Sequence, residues 1–208
     1  MQTIPGIEVI IWDFDRTLYQ NTPQIQARNR AGFYSCIAEQ KGISREEAKP
    51  IFEEAYARLQ SLTRVAEFLG IPGDVMNSAL DREDIADLLN YDERLVQMFQ
   101  EMQFRHVQVT RSQRTRWQRL LGRIGVPESA FEFALCYEET TSDKSEAFRY
   151  IAERTGLARE KLVVVEDRKD IITRARAEGM KTIYVWGECA DADVSVPTVY
   201  DVQGVLQR

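Results

Sequence analysis

The order of apolar and polar residues predicts one early strand, a long helical stretch, and then alternating strands and helices. Four consecutive apolar residues at 9–12 predict a buried strand. No strand pattern recurs before residue 90. Beyond it we predict strands at 106–109, 133–137, 162–165 and 182–186, with a short last strand at 198–200 and helices between them. This alternation is typical of an α/β fold with a parallel sheet.

Residues 20–90 carry several helix boundaries. Thr22 before Pro23 predicts one helix start, and Ser44 with Glu47 has the capping-box spacing that predicts a second. Pro50 should kink that second helix or delay its start. The predicted helices run from 23 to about 40, across 52–59, over 62–69, and, after a Pro-Gly turn at 72–73, on to residue 89. An all-helical insertion between two strands of an α/β core fits this pattern.

Composition and charge narrow the function classes. The chain has 208 residues, enough for one sizeable core or for a core with an inserted smaller unit. Its net charge of −6 argues against broad binding to nucleic acid or to a membrane surface, which needs a basic face. Small phosphorylated substrates stay open, because a few local cations can hold them.

The three cysteines, Cys36, Cys136 and Cys189, are far apart and odd in number, and His106 is the single histidine. These counts argue against a disulfide framework, a zinc site and a histidine-based triad. We expect His106 to be structural. The N-terminus has no basic region before its short apolar run, and no apolar stretch reaches membrane-spanning length. We therefore expect a cytoplasmic protein.

Two carboxylates, Asp13 and Asp15, follow the first predicted strand. Side chains two residues apart start on the same side of an extended chain, where ionised carboxylates repel each other and attract a cation such as Mg²⁺. One can act as a nucleophile that forms an aspartyl-phosphate, and the other can transfer protons. Thr17 can close the loop by donating a hydrogen bond. The alternative is an acidic turn after an edge strand.

Polar residues also follow the second predicted strand and precede a later helix. A hydroxyl and free N–H groups at Thr110-Arg111-Ser112 can bind an anion at a helix N-terminus, or Thr110 or Ser112 can simply cap the helix. Lys144 falls in a first helical turn, because Asp143 and Glu146 have capping-box spacing. A cation opposes the helix dipole there, which indicates a role beside carboxylates and a phosphate; a solvated surface lysine is the alternative.

Glu166 and Asp167 follow the very apolar strand predicted at 162–165. Acidic residues between a buried strand and a helix can supply the second half of a Mg²⁺ site. Alternatively, Asp167 only caps the helix that follows.

Taken in order, these four strand ends resemble the haloacid dehalogenase-like (HAD) hydrolase superfamily, over nearly the whole chain. Residues 17–19, the layout of the helical insertion and residues 165–167 are most similar to its pyrimidine 5′-nucleotidase-like branch, and the Glu-Asp pair also resembles β-phosphoglucomutase relatives. The resemblance implies a Rossmann-like parallel sheet core flanked by helices, formed by residues 1–19 and 93–208. It also implies an inserted helical C1-type cap, residues 20–92, that selects the substrate.

The resemblance further implies a Mg²⁺-dependent phosphatase that hydrolyses a small phosphorylated metabolite, a nucleotide or sugar phosphate, through an aspartyl-phosphate. It implies these roles: Asp13 as nucleophile and metal ligand, Asp15 as general acid/base and metal ligand through its main-chain carbonyl, Thr110 as phosphoryl contact, Lys144 as charge neutraliser, and Asp167 with Glu166 as further metal ligands. We expect Arg16, Thr17 and Arg111 to contact the substrate.

Several alternatives remain open. A phosphomutase or a dehalogenase can have the same fold, although a dehalogenase does not need the acid Asp15. A phosphorylated signalling receiver uses similar residues but is shorter and has no helical insertion. A HAD-like binding protein that has lost catalysis is indicated only by the arginines at 16, 111 and 168. The arginines at 114, 116, 119 and 123 are expected on a solvated helix face. The sequence gives no indication of the oligomeric state.

Overall fold

The computed structural model describes residues 2–140 and 144–207, which form a six-stranded sheet with only parallel pairings. The strands are β1 (Val9–Trp12), β2 (Arg105–Val109), β3 (Phe133–Leu135), β4 (Leu162–Glu166), β5 (Lys181–Val185) and β6 (Val194–Val196). Their order across the sheet is β3-β2-β1-β4-β5-β6. The predicted parallel α/β fold is confirmed, and β1 lies in the interior of the sheet.

Helices lie before, between and after the later strands in the described part of the chain. They are α1 (Pro23–Lys41), α2 (Arg45–Leu59), α3 (Leu62–Leu69), α4 (Gly73–Arg82), α5 (Glu93–Glu101), α6 (Arg114–Ile124), α7 (Lys144–Thr155), α8 (Lys169–Ala177) and α9 (Val202–Val205), with short 3₁₀ turns at Ala86–Leu88, Glu128–Ala130, Arg159–Lys161 and Val199–Asp201. None of the helices in the described part of the chain is long and apolar enough to cross a membrane.

The chain divides into two compact units. One comprises the residues up to Gln20 and from Asn90 onward and contains the sheet. The other, Asn21–Leu89, contains α1 to α4 and is called the helical unit below. Every residue of the helical unit is described, and it contains no strand, as predicted.

Helix boundaries in the helical unit follow their capping residues. Ser44 and Glu47 form the predicted capping box, which fixes the start of α2 at Arg45. Pro50 therefore lies inside the helix and does not delay its start. Pro72 is the N-cap of α4, so the predicted Pro-Gly turn is instead a helix start. The predicted extension of this helix to residue 89 is wrong, because α4 ends at Arg82 and a separate 3₁₀ turn follows.

The two faces of β1 pack against different helices, as expected for alternating side chains. Val9 and Ile11 belong to a buried cluster with Phe148 of α7. On the other face, the ring of Trp12 lies 5.2 Å from that of Phe99 in α5. The strand predicted at 198–200 is wrong, because a capping box formed by Thr198 and Asp201 starts a 3₁₀ turn there; the last strand is β6.

His106 lies in the unit that contains the sheet and is a core residue. Its Nδ1 accepts a hydrogen bond from Nε1 of Trp12 at 3.1 Å, and the ring is 5% exposed. Burial disfavours the charged imidazolium and lowers the pKa of His106 to about 4. The residue therefore fits the structural role expected from the sequence.

Candidate active site

The candidate residues lie at the carboxyl ends of adjacent strands. Trp12, the last residue of β1, is paired with Gln108 of β2 and Val165 of β4. Asp13 follows directly, and its amide donates a hydrogen bond to the carbonyl of Val165 at 3.0 Å. Because β1 has neighbours on both sides, Asp13 is not part of an acidic turn after an edge strand. This edge of a parallel sheet is where ligands bind in open α/β folds.

Asp13 is 8% exposed, and both of its carboxylate oxygens accept hydrogen bonds. Nζ of Lys144 lies 2.5 Å from Oδ1, and Oγ1 of Thr17 donates to Oδ2 at 2.8 Å. Burial and then the negative charge of Glu166 raise the pKa of Asp13 to about 6, against the opposing effect of Lys144. Thr17 is fully buried. Its hydroxyl donates the hydrogen bond expected from the sequence and orients Asp13, and its contact with a substrate stays a prediction.

Lys144 is the first residue of α7 and is 4% exposed, so it is not a solvated surface lysine. Besides Asp13, its Nζ binds Oε2 of Glu166 at 2.8 Å. Burial disfavours the ammonium, but the two carboxylates outweigh this effect and raise the pKa of Lys144. The predicted capping residue Asp143 lies outside the described residues.

Glu166 is fully buried and is held by protein donors. Its Oε1 accepts hydrogen bonds from the main-chain N–H groups of Asp167 at 3.1 Å and Arg168 at 3.2 Å, while Oε2 binds Lys144. Burial raises the pKa of Glu166, although Lys144 opposes the shift. With these bonds, Glu166 is suited to fixing Lys144 and the loop after β4. The role of metal ligand expected for Glu166 stays a prediction.

Asp167 is not used as a helix cap, because Arg168 is the N-cap of α8 and makes no side-chain capping bond. Nε of Arg16 lies 3.3 Å from Oδ2 of Asp167. The other oxygen, Oδ1, is buried and has no hydrogen-bond partner among the described residues. Burial raises the pKa of Asp167, against the opposing charge of Arg16. An oxygen in this state is suited to a ligand that supplies positive charge.

These residues fit a divalent metal ion. One carboxylate oxygen from each of Asp13, Glu166 and Asp167 lies within 4.8 Å of the others. Among the described residues, Lys144 forms ion pairs with Asp13 and Glu166, and Arg16 forms one with Asp167. Mg²⁺ prefers such oxygen ligands. Asp13 and Asp167 are the best placed of the three, because the oxygens of Glu166 are more fully occupied by protein donors.

Asp15 is enclosed by three donors, one of which, Arg116, belongs to the group of arginines expected on a solvated helix face. Oη of Tyr19 lies 2.6 Å from Oδ1, Oγ of Ser112 lies 2.5 Å from Oδ2, and Nη2 of Arg116 lies 3.2 Å from Oδ1. Burial alone would raise the pKa of Asp15, but Arg116, followed by Ser112 and Tyr19, lowers it overall. The carboxylate of Asp15 is therefore held in its ionised form.

Arg116 is 1% exposed, so the predicted solvated face is wrong for this arginine. The guanidinium of Arg116 pairs with the carboxylate of Asp15 instead of contacting water. A signal for this placement exists in the sequence. Arg116 precedes Leu120 by four residues and Ile124 by eight, which puts it on the apolar face of α6. A charged residue at such a position requires a buried partner of opposite charge.

Thr110 and Arg111 follow β2 as predicted. Thr110 is fully buried, and its Oγ1 accepts a hydrogen bond from the amide of Ser112 at 3.0 Å. Neither hydroxyl caps α6, whose N-cap is Gln113. Arg111 is half-buried, and burial together with the positive charges of Arg168 and Arg174 lowers its pKa. Contact of Thr110 and Arg111 with a phosphoryl group stays a prediction.

Comparison with known proteins agrees with this fold. A family model described as haloacid dehalogenase-like hydrolase matches residues 10–185. No curated protein matches the chain. Solved structures similar to it include a HAD phosphatase from Thermococcus onnurineus, with 16% identity, 96% of this chain and 97% of that chain covered, and a TM-score of 0.67.

Two further structures show how varied these neighbours are. A putative β-phosphoglucomutase from Thermotoga maritima has 19% identity, coverage of 96% of this chain and 98% of that chain, and a TM-score of 0.62. An L-2-haloacid dehalogenase from Xanthobacter autotrophicus has 12% identity, coverage of 95% and 97%, and a TM-score of 0.58. At such identities the likeness establishes a shared fold, and the chemistry has to be argued from the site.

Proposed function

Because the chain belongs to the haloacid dehalogenase-like hydrolases, we propose that it is a Mg²⁺-dependent phosphatase that forms an aspartyl-phosphate on Asp13. The substrate would be a phosphomonoester of a small metabolite, such as a nucleotide or sugar phosphate. One observation carries the proposal: Asp13 lies at the carboxyl edge of an interior strand with Lys144 at 2.5 Å and the carboxylates of Glu166 and Asp167 close by.

In the first step, a carboxylate oxygen of Asp13 attacks phosphorus, and the bond from phosphorus to the leaving oxygen breaks. Thr17 keeps the nucleophile oriented, because it donates to the other oxygen. Lys144 offsets the charge that approaches Asp13 when an anionic phosphoryl group arrives. Bound Mg²⁺, held by Asp13, Asp167 and the main-chain carbonyl of Asp15, would supply further charge neutralisation.

In the second step, water attacks phosphorus, phosphate leaves, and the Asp13 carboxylate is restored. Asp15 is suited to take the proton from this water, because its donors hold it as a carboxylate. The proton that Asp15 takes from this water is the one that it gives to the leaving oxygen in the next cycle, and while Asp15 carries the proton it has to give up a hydrogen bond from Arg116 or Ser112. The presence of Asp15 favours phosphate-ester hydrolysis over dehalogenation, because a haloacid substrate has no leaving group that needs a proton.

Phosphate release from a panel of phosphorylated metabolites and a generic aryl phosphate tests the proposal, with and without Mg²⁺. We expect Mg²⁺-dependent release that is lost in Asp13→Asn, because an amide is a poor nucleophile here. The matched control is Asp74→Asn, an exposed aspartate in the helical unit, which should keep wild-type turnover. Equal release by Asp13→Asn and wild type would refute the nucleophile assignment.

A further inference from the structure

Arg16 contacts the carboxylate that the proposed metal needs. Its Nε lies 3.3 Å from Oδ2 of Asp167, with 34% of the Arg16 side chain and 14% of the Asp167 side chain exposed. We propose that the guanidinium of Arg16 competes with the divalent cation for Asp167, so that the metal binds weakly until Arg16 moves away. This inference rests on the proposed function, because it concerns the metal of that site.

The backbone holds Arg16 in an unusual conformation at this place. Its φ of 68° lies in the left-handed region, which a residue with a side chain rarely adopts. The turn is fixed by hydrogen bonds from the amides of Thr17 and Leu18 to the carbonyl of Phe14, at 3.2 and 3.1 Å. Such a conformation persists only where the surroundings enforce it. The position of Arg16 beside Asp167 is therefore set by the loop.

Competition follows from the charges. A guanidinium and a divalent cation that bind the same carboxylate repel each other. Arg16 contacts Oδ2, and this repulsion acts also on a cation that binds the other oxygen, Oδ1. Because about a third of the Arg16 side chain is exposed, water screens this repulsion and the side chain can move into solvent. The competition is thus reversible. Partial screening sets the expected effect at roughly a tenfold change in the metal dissociation constant.

Binding of Mn²⁺ alone, followed by the free-ion signal in electron paramagnetic resonance, tests the inference without relying on activity. Mn²⁺ shares the preference of Mg²⁺ for oxygen ligands. Arg16→Gln removes the charge but keeps the same backbone demand, and Arg16→Asn removes it with a residue that tolerates positive φ. The matched control is Arg168→Gln, since Arg168 pairs with Asp170 at 3.0 and 2.8 Å.

We expect both Arg16 variants to bind Mn²⁺ roughly tenfold more tightly than wild type, with less than a twofold change in Arg168→Gln. Unchanged binding in the Arg16 variants would overturn the inference, as would equal tightening in Arg168→Gln, which would reflect net charge alone. Asp167→Asn separates the two hypotheses. If it abolishes Mn²⁺ binding while the Arg16 variants match wild type, only the competition fails. If Asp167→Asn binds Mn²⁺ as tightly as wild type, the proposed metal site fails as well.

Discussion

The helical unit and the carboxyl edge of the sheet handle polar groups in opposite ways. In the helical unit, all of which is described, Asn77 is the only buried polar residue. Its ion pairs, such as Arg45 with Glu83, lie where both side chains are at least 32% exposed. At the sheet edge, by contrast, Asp13, Lys144 and Glu166 are each less than a tenth exposed.

This difference separates stability from chemistry. Buried ion pairs stabilise weakly, because desolvation offsets their attraction, whereas packed apolar side chains stabilise directly. Phe33 and Phe52 stack at 5.2 Å in the helical unit, as expected for a core that serves packing. Charges held at the sheet edge cost stability, and perturbed carboxylates of this kind are typical of active sites.

Removal of Lys144 should have the largest effect on stability. In Lys144→Met, Asp13 and Glu166 remain buried without their shared cation, which we expect to lower the free energy of unfolding by about 3–5 kcal/mol and to abolish turnover. The matched control is Lys161→Met, because Lys161 pairs with Glu8 at a site where both side chains are more than 40% exposed. That change should cost less than about 1 kcal/mol.

Urea unfolding without divalent metal measures both variants. Losses of equal size in Lys144→Met and Lys161→Met would remove the contrast between the sheet edge and an ordinary protein surface.

A clash in the helical unit should have the next largest effect. A Cβ on Gly32 in α1 would lie 2.3 Å from the carbonyl oxygen of Ala79 in α4. This oxygen belongs to the main chain of a helix and cannot move aside easily. Gly32→Ala should therefore destabilise the helical unit by about 3 kcal/mol. Gly122→Ala is the control, since Gly122 lies in α6 with no atom within 4 Å of the added carbon. It should gain up to about 1 kcal/mol from helix propensity.

Hydrogen exchange of the amides in α1 and α4 measures the effect of Gly32→Ala directly. Unaltered protection of both helices in Gly32→Ala would contradict the close packing of this pair.

His106 should give the smallest effect, and one that depends on pH. Its pKa is lowered to about 4 from an ordinary value of 6.5. Below pH 6.5 the unfolded chain gains a proton that the folded protein does not, so the free energy of unfolding falls as the pH falls towards 4. At pH 5 this loss amounts to about 2 kcal/mol relative to pH 7.

His106→Asn keeps an acceptor for Trp12 and cannot take up this proton. We expect its free energy of unfolding to change less between pH 7 and 5 than that of wild type, by about the same 2 kcal/mol. The carboxylates contribute equally to the pH dependence of both proteins, so their contribution cancels when the two free energies of unfolding are subtracted. Identical pH dependence in the two proteins would mean that His106 takes up a proton as readily in the folded protein as in the unfolded chain.

Local rules predicted most of the fold. Capping residues such as Thr22 and Ser44 and the apolar runs of β1 and β4 act through neighbours in the chain, so sequence reveals them. The failures came from competing local signals. Thr198 and Asp201 form a capping box that outweighs the strand propensity of residues 198–200, and Pro72 serves as an N-cap where a turn was expected.

The candidate site was predicted unevenly, because its contacts join distant parts of the chain. Asp13 and Lys144 are 131 residues apart, and only the order of the strands brings them together. The pairing of Arg116 with Asp15 likewise depends on how α6 packs against the sheet. A pattern can mark a charged residue on an apolar face, but it does not name the partner.

Chemical trapping of the phosphorylated residue tests the central claim, that Asp13 is the nucleophile. Protein in turnover with its best substrate is quenched in acid, reduced with borohydride and digested with trypsin, and the peptide ending at Arg16 is sequenced by mass spectrometry. An aspartyl-phosphate is reduced to homoserine, so we predict homoserine at position 13 in wild type and none in Asp13→Asn. Turnover with position 13 unmodified, or with the modification at another residue, would contradict the account.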